Sequence, residues 1–126
     1  VRNMEVCGAK LTPRIIAEIG DIRRFKDAGS IIAYGGLDAP PYQSGQFEAT
    51  IRHISKRGNK YLRKAGYEVM KSIKSSGKAG NELYDYISKK EEEGKAKKVA
   101  KIAGLNKFIR MYYGKVREKY RELEIW

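Results

Sequence analysis

Apolar residues recur at spacings of three, four and seven along most of this chain, in blocks divided by short polar or glycine-containing punctuation. The first block opens at Thr12-Pro13, with Thr12 as N-cap and Pro13 at the first helical position. Ile15, Ile16 and Ile19 then form one apolar face up to Gly20. Asp21 can cap a turn holding Ile22 and Phe25. Asp27 or Ser30 opens a second helical stretch through Ile31, Ile32 and Tyr34, which Gly35-Gly36 stops.

The pattern then breaks. Pro40-Pro41 disfavours helix, and residues 37–57 carry Gly45, β-branched Thr50 and Ile51, and no sustained 3.6-residue period, so a long irregular loop is predicted there. Asn59 is a cap for a third helix, with Leu62, Gly66, Val69 and Ile73 on one face and Lys60, Arg63, Lys64 and Lys71 elsewhere, ending at Ser75-Ser76-Gly77. Asn81 caps a fourth, with Leu83, Tyr84 and Ile87 inward, closing in the polar run Lys89 to Gly94. That mixed run reads as a solvated helix end. The last and longest helix places Val99, Ile102, Ala103, Ile109, Tyr113, Val116 and Tyr120 toward the core. The prediction is an all-α domain of about five helices with one long loop over roughly 37–57, and no internal repeat.

Composition narrows what such a domain does. The 126 residues suit a single domain over 1–126. Their 27 Lys and Arg against 15 Asp and Glu give a net charge of +12, more than solubility requires. A polyanion is the expected partner, because clustered cations gain affinity by displacing counterions from a phosphate backbone. Cys7 is the only cysteine, so an internal disulfide and a cysteine-based zinc site are excluded. No apolar run nears the roughly 20 residues of a membrane span, and a cytoplasmic protein is expected. The start at Val1 fits a piece of a longer protein.

The cations are not evenly spread. Between Ala49 and Tyr67 lie Arg52, Lys56, Arg57, Lys60, Arg63 and Lys64, with no Asp or Glu among them. If Asn59 caps the third helix, first-turn amides and the surrounding cations offer a phosphate site, and Gly58 admits close backbone approach or a positive φ. The other reading is an ordinary capped helix with solvated lysines. Ser44, in Pro40-Pro41-Tyr42-Gln43-Ser44-Gly45, is either a turn serine or a hydroxyl presented to a phosphate, where it would need activation. His53 is the only histidine, which argues against a metal site. The tyrosines at 61, 67, 84, 86, 112, 113 and 120 read as core or interface residues before stacking platforms. Val6 to Leu11 resembles half of a helix-hairpin-helix whose glycine pair is reduced to Gly8, a degenerate form.

In order, Ala17-Glu18-Ile19-Gly20-Asp21-Ile22 with Arg24-Phe25, Ala33-Tyr34-Gly35-Gly36-Leu37, Ser44-Gly45, Ile54-Ser55-Lys56-Arg57-Gly58-Asn59 with Leu62-Arg63, and the Lys97-Lys98-Val99-Ala100 helix resemble the C-terminal domain of one transposase family. It is the bridge-RNA-guided insertion-sequence transposase family, which includes pilin-gene-inverting DNA recombinases. The resemblance implies a DNA-binding and strand-joining domain that contributes a serine nucleophile to a composite active site, with Ser44 the matching serine and Ser55 the runner-up. It further implies a preceding RuvC-like domain holding Mg2+ on four acidic ligands, no cofactor in this domain itself, a guide RNA, and a dimer or tetramer. Nucleic-acid contacts are expected from Arg52, Lys56, Arg57, Gly58, Asn59, Lys60, Arg63 and Lys64. The competing functions are a non-catalytic helical DNA- or RNA-binding module and a helical interaction domain whose charge is incidental.

Overall fold

A computed structural model describes residues 12–38, 58–77 and 80–126. Within them the chain is all-α: α1 over Thr12–Ile19, a short 3-10 turn over Ile22–Arg24, α2 over Ala28–Tyr34, α3 over Lys60–Ser76, α4 over Glu82–Glu92 and α5 over Lys97–Glu122. Thr12, expected as the N-cap of the first helix, is instead the first residue of α1, whereas the caps predicted further along are in place. Asp21 accepts a hydrogen bond from the Arg23 amide, Asp27 rather than Ser30 caps α2, and Asn59 and Asn81 each accept two amide protons at the starts of α3 and α4. Each satisfies donors that a helix start otherwise leaves unpaired.

α5 is the spine, about 39 Å long at 1.5 Å per residue, and α2, α3, α4 and the 3-10 turn all pack on it, while α1 packs on α3. Its buried face is Ala100, Gly104, Leu105, Phe108, Ile109, Tyr112 and Tyr113. This corrects the expected stripe. Val99 is 40% exposed, and Ile102, Ala103, Val116 and Tyr120 flank the core instead of filling it. The reason is that small residues mark the true seam. A methyl group on Gly104 would lie 2.5 Å from Ile87 Cγ1, and one on Gly66 would lie 2.6 Å from Leu105 Cδ1, so helices approach where side chains are missing. On α5 the apolar-periodicity reading passes over Gly104, whereas on α3 it includes Gly66.

Ile15, Ile19, Ile22, Ile31, Leu37, Leu62, Met70, Leu83 and Ile87 complete one continuous core. At about 1.5–3 kcal/mol for each large apolar side chain fully buried, this core is what opposes chain entropy. No helix among the described residues is long and apolar enough to cross a membrane. The polar run after Ile87 is only partly a solvated end: Glu91 reaches Lys74 Nζ at 3.1 Å, with both side chains about four-fifths covered, and the Lys74 ammonium sits 4.3 Å from the Tyr84 ring centre.

Candidate nucleic-acid interface

The start of α3 is built from two interleaved sets of residues. The first set faces inward to α1 and α2. Gly58 adopts φ +92°, and a side chain there would overlap the Tyr34 carbonyl oxygen, so both the left-handed backbone and the lack of a Cβ are required. Asn59 donates its main-chain amide to that carbonyl at 2.7 Å. Its side chain is fully engaged: Oδ1 accepts from Tyr61 and Leu62 amides, and Nδ2 donates to the Tyr34 hydroxyl at 2.9 Å and to Glu18 Oε2 at 3.1 Å.

Arg63 belongs to the same set. Its guanidinium donates to the Gly35 carbonyl at 3.0 Å, at the C-terminus of α2, where the helix dipole favours a cation and a carbonyl lacks a helical partner. Arg24 does the same for α1, donating to the Ile19 carbonyl at 2.6 Å while lying over the Phe25 and Tyr34 rings. The Asn59 amide and the Arg24 guanidinium together hold the Tyr34 phenol below its usual pKa. These contacts clamp the point where the chain leaves the described residues after Asp38 and re-enters at Gly58.

Lys60, Tyr61, Lys64 and Tyr67 form the second set. With Arg63 they line a cavity of about 710 Å³ completed by Arg14 from α1 and by Lys98 and Ile102 from α5. Lys60, Lys64 and Tyr67 stand at i, i+4 and i+7, one helix face. No lining residue is acidic. Arg14 pairs with Glu68, an anion outside the lining, at 3.6 Å. Lys60 Nζ lies 5.3 Å from the Tyr61 ring centre, and that ring is 59% exposed.

The charges run against helix electrostatics. A helix N-terminus carries partial positive charge and favours acids in its first turn, as α4 shows with Glu82 and Asp85. The other four helices have no acid in the first turn, and α3 and α5 place Lys60 and Lys98 there, both on the cavity. Cations at those positions work against stability unless an anion relieves them.

The first 85 residues match the model of a family described as Transposase IS116/IS110/IS902. The chain belongs to this transposase family. It is also 29% identical over 111 residues to the pilin gene-inverting protein of Moraxella bovis and, over the same length, to that of Moraxella lacunata, covering 88% of this chain and 34% of each relative. The chain therefore spans about a third of the length of the curated relatives it matches. Several of the sequence motifs that resemble the transposase family meet in the clamp: Glu18, Arg24-Phe25, Tyr34-Gly35, Gly58-Asn59 and Leu62-Arg63 lie in direct contact.

Of the residues singled out from sequence, Gly58, Asn59 and Arg63 make the internal contacts above, and Lys60, Arg63 and Lys64 line the cavity. The anticipated amide cradle is not available as drawn, because the Tyr61 and Leu62 amides are taken by the cap itself. Ser44, Ser55, His53, Arg52, Lys56, Arg57 and the hairpin-like Val6 to Leu11 lie outside the described residues. Arg14, Lys98, Tyr61, Tyr67 and Ile102 were not assigned to a nucleic-acid surface from sequence. Lysines in the first turns of α3 and α5 were the available signal. Among the described residues no group of three or more His, Cys, Asp or Glu side chains is placed to hold a metal ion.

Proposed function

We propose that this chain is the DNA-engaging part of a transposase or site-specific recombinase, with the cavity between α1, α3 and α5 as its contact to the phosphate backbone. One observation carries the reading: cations from three helices converge on a cavity with no acidic lining, at two helix starts where electrostatics alone would select acids. Departures from local rules of this kind concentrate at functional sites. Membership of a transposase family makes DNA the fitting polyanion.

Ser44 is the proposed nucleophile. Its hydroxyl attacks a DNA phosphodiester, forming a serine-phosphate bond and releasing one strand end, within a site completed by an acidic RuvC-like domain, a guide RNA and a second subunit. The clamp supports this division of labour, since it ties together the family motifs on both sides of the segment that bears Ser44. A covalent DNA adduct on Ser44 in the longer protein, lost in Ser44→Ala with DNA binding retained, is the expected result. An adduct that survives Ser44→Ala and disappears in Ser55→Ala reassigns the nucleophile. Binding is tested in this chain alone: if about five phosphates are neutralised, log affinity for duplex DNA falls with log salt at a slope of roughly −4 to −5. A flat response removes the DNA-binding reading.

A further inference from the structure

We infer that the cavity holds an unpaired nucleotide of single-stranded DNA, its base stacked on Tyr61 and its flanking phosphates on Lys60, Lys64 and Lys98. This rests on the reading of the cavity as a DNA contact and specifies the form of DNA it takes. Three observations carry it.

The first is the exposure of Tyr61. At 59% it is the most exposed large apolar or aromatic side chain described, although it sits on a helix whose Leu62, Ala65, Val69 and Ile73 are buried. Neither core packing nor capping accounts for the ring, because the cap uses only its main-chain amide. An aromatic face left in water among cations is the composition of a base-stacking platform, which tolerates any base because every base has a π-face.

Size is the second. About 710 Å³ lies in the range of sites that enclose one small molecule, roughly 300–1,000 Å³. It suits a base with its sugar and neighbouring phosphates, not a stack of base pairs, which would meet the surface only at its backbone. The third is the mixed lining. Tyr67 and Ile102 supply half-buried apolar wall beside Lys64 and Lys98, so the cavity offers both a dry contact for a base and cations for a strand. A site for duplex backbone alone has no use for the apolar part.

The test compares a short oligo-dT strand, an oligo-rU strand and a DNA duplex on the intact chain at fixed salt. Tyr61→Ala is expected to weaken oligo-dT binding by about 5- to 150-fold, the range for losing one stacked base, while Tyr61→Phe stays within about twofold. Duplex affinity is expected to change by less than about twofold in both variants, since backbone contacts are untouched. An unchanged urea midpoint establishes that the variants are folded. If Lys60→Ala/Lys64→Ala weakens both DNAs and Tyr61→Ala weakens neither, the stacking inference falls and the backbone reading stands. If neither change affects binding, both fall. Tighter, Tyr61-dependent binding of oligo-rU than of oligo-dT overturns the assignment to DNA.

Discussion

Gly58, Asn59 and Arg63 on one side, Lys60, Tyr61 and Lys64 on the other, occupy the same seven residues of sequence and are put to opposite uses. The first three close the chain against α1 and α2 through the Tyr34 carbonyl and hydroxyl, Glu18 and the Gly35 carbonyl. Lys60 and Lys64 are exposed and face an open, acid-free cavity with Tyr61. A count of cations sees one basic patch. The structure separates a guanidinium that caps a helix from ammonium groups that stand exposed on the cavity, and the difference is which carbonyl lies within reach.

The comparison breaks most readily at Gly58. Gly58→Ala forces a Cβ into the left-handed region and against the Tyr34 carbonyl, and we expect a loss of about 2–4 kcal/mol in urea unfolding. A loss below about 0.5 kcal/mol would show that the clamp does not hold this end of α3. Next is Asn59→Ala, expected to cost about 2 kcal/mol because it removes a cap and the two bonds from Nδ2. Asn59→Asp retains the cap acceptor but loses both donors and sets a second carboxylate beside Glu18, so it should fall between the wild type and Asn59→Ala. Equal stability of Asn59→Asp and wild type would remove the Glu18 and Tyr34 bonds from the clamp.

The open set should behave in the reverse way. Lys60→Ala and Lys64→Ala are expected to leave stability within about 0.5 kcal/mol of wild type, as exposed lysines outside any cap or core. A slight gain is consistent with relieving cations at a helix N-terminus. A loss as large as that of Asn59→Ala would merge the two sets into one structural patch.

The smallest effect is spectroscopic. The Tyr34 phenol is held below its usual pKa, so an ultraviolet titration should show a phenol ionisation below the usual tyrosine range that is absent in Tyr34→Phe. The sign follows from linkage: a depressed folded-state pKa adds stability above the unfolded value near 10, and that increment is lost as pH falls through the folded value. An unchanged early ionisation in Tyr34→Phe would assign it to another residue.

Helix existence, order and capping were legible in the sequence because they rest on local chemistry: Asn59 and Asn81 are strong caps, and Gly35-Gly36 is a strong stop. The face of α5 was less so. Gly104 and Ala100 lie on its buried face, and the apolar spacing puts Ala103 there in place of them. The candidate site was half legible. Lys60, Arg63 and Lys64 stood out by charge, but Arg14 and Lys98 come from segments 46 residues before Lys60 and 38 after it, and only tertiary packing brings them together. Arg63 marks the limit of reading charge alone, since its guanidinium is committed to a carbonyl 28 residues away.

The most direct test of the central claim is the salt dependence of duplex DNA binding in the Lys60→Ala/Lys64→Ala double variant, beside its urea midpoint. With two phosphate contacts removed, the slope of log affinity against log salt should become shallower by about 2, and the urea midpoint should stay where it is. An unchanged slope, or a slope that changes only with a loss of stability, would contradict the claim that these two lysines are kept for the backbone of a nucleic acid.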